Sequence, residues 1–124
     1  MRLRPLIAAA LLLTAGCDTA QAMSARDLLN SCDAALRTIK DSGKELSIAP
    51  AGQRCWNYME AVQDMVALAD EGGHRLLGVC VPEDGRTDGL VRAFTKHAHG
   101  HPEELETRAA IVVLHGLWAE FPCK

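Results

Sequence analysis

The sequence predicts an all-α fold, a compact four-helix domain held by two disulfides. Three observations carry that expectation. Apolar residues recur at helical rather than alternating spacing along most of the chain. Helix start and stop signals fall at intervals that suit four helices with short connections. Cys32, Cys55, Cys80 and Cys123 follow an export-type leader and are even in number. A length of 124 residues suits one domain. The net charge of −3 comes from mixed signs without a basic stripe, which argues against nucleic acid as a partner.

Residues 1–22 read as a signal peptide. Arg2 and Arg4 make a basic start, and Leu6 to Ala15 is an apolar run too short to span a bilayer. Ala20-Gln21-Ala22 is a small-x-small site that favours cleavage before Met23, leaving 23–124 as the folded domain. The competing exit is Leu13 to Cys17, which resembles a lipobox and would make Cys17 a lipid anchor to the membrane surface. Either exit takes Cys17 out of the pairing arithmetic. Cleavage before Met23 also removes Arg2, Arg4 and Asp18, so two positive charges and one negative leave −3 and the mature chain stands at −4.

The first helix is expected from Ser24 to Lys40, capped by Ser24, with Leu28, Leu29, Cys32, Ala35, Leu36 and Ile39 on one face. Asp41-Ser42-Gly43 ends it. Pro50 and Gly52 then mark a loop that runs through Gly52. The second helix is expected from Gln53 to Glu71, with Cys55, Tyr58, Met59, Val62, Met65, Val66 and Ala69 at helical spacing and Gly72-Gly73 as its stop. Leu76 to Val81 is a short apolar stretch, and Pro82 to Gly85 a turn. Thr87 caps a third helix that ends near Ala98 with Leu90, Val91 and Phe94 inward. The fourth helix is expected to open at Pro102, with Glu103, Glu104 and Glu106 near its positive end, and to stop before Pro122. Between Ala109 and Ala119 only His115 is polar. A helix apolar all round is central to a core or shared with a second subunit, and a chain this short has trouble surrounding one alone, so a homodimer is expected.

Four cysteines allow three pairings. The favoured one joins Cys32 to Cys55 across the first two helices and Cys80 to Cys123 from the turn before the third helix to the chain end. By chain entropy each bond adds about 3–4 kcal/mol. No two cysteines have redox or zinc-site spacing, so structural bonds in an oxidising compartment are the preferred reading.

The chemistry-bearing residues form no catalytic set. His97, His99 and His101 alternate and invite a metal hypothesis, but they span a helix end and a turn, and an exposed polar turn is preferred, with no metal and no cofactor. His115 reads as a hydrogen-bonded core or interface histidine, and His74 as a loop residue without an evident partner. Glu103 and Glu104 are explained by the helix dipole rather than by acid–base work. No phosphate loop, dinucleotide fingerprint or nucleophile elbow is present. The remaining features are two polar turns flanking the third helix, Asp84 to Thr87 and His97 to Glu104, carried on a cross-linked frame that suits recognition. A binding protein is therefore favoured over an enzyme. The alternative is a metal-binding or structural envelope protein, lipid-anchored if Cys17 is the exit.

The order of landmarks adds a family likeness. A leucine-rich helix carries Cys32, and Cys55 precedes Tyr58 and Met59. Cys80-Val81-Pro82 follows, then His101-Pro102-Glu103, an alanine- and valine-rich helix, and Phe121-Pro122-Cys123. Over nearly all of the chain beyond the leader this resembles the Rap/Tai family of type VI secretion amidase immunity proteins. The resemblance implies a small helical periplasmic protein, often dimeric, that blocks the active-site groove of a peptidoglycan amidase toxin and so protects the producer and its siblings. Carried over by position, it implies contact regions around Asp84, Arg86 and Thr87 and around His99, His101, Glu103 and Glu104.

Overall fold

The computed structural model describes residues 21–41 and 46–124. The leader reading rests on residues 1–20, Cys17 included, and lies outside the described residues, as does the Ser42-Gly43 stop. Helix α1 spans Ala25–Thr38, α2 Pro50–Val66, α3 Thr87–Gly100 and α4 Ala109–Glu120. A single 3-10 turn, Pro102–Glu104, precedes α4. Strands contribute only an antiparallel ladder between β1 (Lys40–Asp41) and β2 (Leu46–Ser47) among the described residues. The expected all-α fold with two disulfides is the observed one.

Helix α1 starts where a serine can cap it. Ser24 Oγ accepts from the Asp27 N–H at 3.2 Å and donates to Asp27 Oδ2 at 2.9 Å. Its buried face carries Leu28, Leu29, Cys32 and Ala35 and packs chiefly on α2, while α3 packs chiefly on α4 and also touches α1 and α2. Phe94, Leu28, Met59, Leu90 and Leu117 are the largest fully buried side chains. The Cys32–Cys55 bond lies inside this core with both residues fully buried. Beside it the Ser31 hydroxyl donates to Ala51 O at 2.9 Å and accepts from the Cys55 N–H at 3.0 Å. Ser31 thus spans the same pair of groups that a helical i→i−4 bond would join, so its burial costs little.

Two glycines let the helix pairs approach backbone to backbone. A Cβ on Gly52 would fall 2.5 Å from Ala35 Cα, and one on Gly116 would fall 2.8 Å from Ala93 O. The first explains why α2 begins at Pro50 rather than at Gln53. Pro50 occupies the first helical position, where its missing N–H is no loss, and Gly52 is a packing residue inside the first turn rather than a breaker.

Two other boundaries differ from expectation. Helix α2 stops at Val66 instead of Glu71, because the chain folds into a tight reversal. Leu76 N–H donates to Leu68 O, Asp70 N–H donates to His74 O, and Gly73 takes a φ of 81°. The fourth helix opens at Ala109 instead of Pro102. A helix running through 102–111 would need the carbonyls of Leu105 and Thr107 for its own bonds. Those carbonyls instead accept from the N–H groups of Arg26 and Ala25, and the Ala109 N–H donates to Met23 O. The starts of α1 and α4 are stitched together this way, each supplying partners for the other's unsatisfied end groups.

The second disulfide, Cys80–Cys123, closes the other end of the molecule. It sits beside a backbone bridge in which Cys80 N–H donates to Phe121 O at 2.8 Å. Cys80 is exposed, in contrast to the first pair. The Trp118 indole N–H donates to Leu77 O at 2.7 Å and fastens α4 to the same loop.

Candidate functional site

The two polar turns expected to meet a partner sit at opposite ends of α3. Fourteen helical residues separate them by about 20 Å, so they are two patches and not one. In the first patch Asp84 and Arg86 are exposed, and Arg86 Nε lies 3.3 Å from Asp88 Oδ1. Thr87 is not the cap. The cap position is Arg86, which makes no capping side-chain bond, and Thr87 Oγ1 donates instead to Gln63 Oε1 at 2.9 Å. The Gln63 amide also donates to Gly85 O at 3.4 Å, so one α2 side chain braces the whole turn. A braced turn loses little entropy when it docks.

The second patch is more ordered than an exposed polar turn. Helix α3 runs on to Gly100, so His97 and His101 share a face and His99 points away from them. His99 Nε2 lies 2.9 Å from Asp33 Oδ1 on α1. The rings of His97 and His101 stack at 4.0 Å between centroids, and His101 Nδ1 donates to His97 O at 2.9 Å. His97 turns inward, with its side chain only 14% exposed, and its Nε2 reaches Glu104 Oε2 at 3.1 Å. The same carboxylate oxygen meets His115 Nδ1 from α4 at 3.0 Å. Glu104 therefore accepts from two imidazoles, and these hydrogen bonds, that from His115 first, hold its carboxyl below the usual carboxylate range. Glu103 stays exposed beside it.

Sequence reasoning placed Glu104 in a helical first turn and so missed its role as the meeting point of three elements. The readable signal was His115, the one polar residue between Ala109 and Ala119, which has to find a partner. That part of the expectation holds. His74 does have a partner, because its ring and its N–H both reach the Asp70 carboxylate, whose pKa is lowered chiefly by the backbone donor.

A third surface is apolar. Helix α4 buries Val112, Val113 and Leu117 but leaves Ile111 47% and Trp118 44% exposed. Leu114, Ala110 and Met65 line an open cavity of about 250 Å³ between α4 and α2, with Tyr58 and Leu77 at its walls. Burial raises the Tyr58 phenol pKa. On α2, Met65 adds an exposed apolar side chain among Gln53, Arg54, Asn57, Glu60 and Asp64, which are exposed too. No helix among the described residues is long and apolar enough to cross a membrane.

A family model described as Rap1a immunity proteins matches residues 24–123. The chain belongs to the Rap1a immunity protein family. The match agrees with the likeness read from the landmark order and takes in all four helices, both disulfides and both polar turns. Comparison with curated proteins and with solved structures returned no significant match. Membership makes the Rap1a chain an immunity protein directed at a secreted toxin.

Proposed function

We propose that this Rap1a protein is exported by its 1–22 leader and works in the periplasm, where it binds and inhibits a type VI secretion peptidoglycan amidase. The observation that carries this reading is the family match over residues 24–123. Two disulfides support an oxidising compartment, since such bonds persist there and are rare in reducing ones. A binding role rather than catalysis follows from the same reading. The contact residues are Asp84, Arg86 and Thr87 in one patch and His99, His101, Glu103 and Glu104 in the other. The protein acts as a homodimer through the exposed face of α4, where Ile111 and Trp118 find cover in a second copy.

Growth rescue tests the reading. Amidase toxins secreted by the producing cell are directed to the periplasm of a sensitive strain, with and without this protein. Rescue from at least one of them, lost when the leader is deleted, is the expected result. Failure to rescue from any of them contradicts the amidase reading.

A further inference from the structure

The cluster of His97, Glu104 and His115 brings two imidazoles and one carboxylate to a single point. Each comes from a different element, α3, the 3-10 turn and α4, and each offers one donor atom. The three donor atoms all lie within 4.8 Å of one another. The two edges that meet at Glu104 are 3.1 and 3.0 Å. A tetrahedral zinc ion holds its N and O ligands at about 2.0–2.2 Å, which places neighbouring donors about 3.3 Å apart. The two edges at Glu104 need to open by only a few tenths of an ångström, and the two imidazole nitrogens, within 4.8 Å of each other, draw in around an ion that takes the place of the protons now shared with the carboxylate.

We propose that His97 Nε2, Glu104 Oε2 and His115 Nδ1 form a binding site for a zinc-type divalent cation. Two imidazoles and one carboxylate favour borderline first-row ions over calcium or magnesium, which take oxygen donors. The site is held in shape before any ion arrives. His101 stacks on the His97 ring and fixes its carbonyl. The Glu104 backbone is clamped at both ends, its N–H donating to His101 O at 3.0 Å and its carbonyl accepting from Thr107 Oγ1 at 2.7 Å. Such outer-shell support is what a metal site needs to keep its ligands aimed. The His115 side chain is 38% exposed, which gives the ion a path in and leaves the fourth position to water. The alternating row His97, His99 and His101 is not the ligand set, since His99 faces Asp33 and His101 serves as support. This inference rests on local geometry and not on the identity of any toxin.

Zinc chloride titrated into the full leaderless chain, by calorimetry in a non-chelating buffer, tests it. The expected result is one ion per chain and a thermal transition raised by zinc. His97→Gln and His115→Gln each weaken binding more than about tenfold, the loss typical even of an outer-shell partner, while His99→Gln and His74→Gln leave it unchanged. Long-range proton–nitrogen spectra of the unaltered protein give a reading that does not depend on variants folding. There zinc is expected to shift His97 Nε2 and His115 Nδ1. Absence of zinc uptake overturns the proposal. So does uptake that moves only the nitrogens of His99 or His74, or that persists undiminished in both ligand variants.

Discussion

Glu104 ties its 3-10 turn to both α3 and α4 through one carboxylate oxygen. Its carboxylate serves two imidazoles, and its lowered pKa has a consequence for stability. A carboxyl with a depressed folded pKa contributes stability that is fully present above its unfolded pKa and is lost as pH falls through the folded one. In metal-free buffer, the stability difference between the natural protein and Glu104→Gln is therefore expected to be largest above the ordinary carboxylate range. It shrinks as pH is lowered below that range. Thermal melts of both proteins across a pH series check this, and a difference that grows in acid contradicts it. Glu104 also shows what a sequence leaves hidden. Nothing in its spacing from His97 or His115 marks a meeting point, because that contact depends on a chain path broken at residues 105–108. His115 was legible because a lone imidazole among apolar neighbours has to be satisfied.

At the scale of elements, helix identity was readable and helix ends were less so. The period of Leu28, Leu29, Cys32 and Ala35 gave α1 and its buried face directly, and the same residues are buried. Pro50 misled because proline breaks a helix interior but suits its first position. The start of α4 was unreadable locally, because it is set by backbone partners at Met23 and Ala25, more than eighty residues away. Helix pairing rests on small residues at crossings, as Gly116 shows. A methyl there meets Ala93 O and Phe94 Cα, both backbone and unable to rotate aside. Alanine gains about 1 kcal/mol in helix propensity, but overpacking costs about 1–3 kcal/mol. Gly116→Ala is accordingly expected to lower stability by up to about 2 kcal/mol, measured by denaturant unfolding. A stabilised variant contradicts a close α3–α4 crossing.

The disulfides link elements into one molecule and differ in access. Cys32 and Cys55 are buried under α1 and α2, whereas Cys80 is exposed at the rim. Thiol exchange needs an approach to sulfur, so graded reductant followed by alkylation is expected to label Cys80 and Cys123 first. Peptide mass spectrometry reads the order, and earlier labelling of Cys32 and Cys55 contradicts the buried placement. This pairing was one of three that the sequence allowed, and the favoured one is present.

The whole molecule presents two braced polar turns at the ends of α3 and an apolar face on α4. If that face is shared between two copies, sedimentation is expected to show a dimer. Ile111→Glu is then expected to give a folded monomer with unchanged circular dichroism, and a monomeric natural protein contradicts this use of α4. The uniformly apolar sequence from Ala109 to Leu114 made the face foreseeable, but its one-sided burial needed the packing of α3 behind it.

The most direct test concerns inhibition itself. Purified amidase toxin from the producing cell is incubated with isolated peptidoglycan, and cleavage is measured as this protein is titrated in. The account expects activity to vanish near one protomer per toxin molecule, and Arg86→Glu combined with Glu103→Lys to weaken inhibition by more than about tenfold. Undiminished cleavage at a large molar excess, for every amidase that cell secretes, would contradict it.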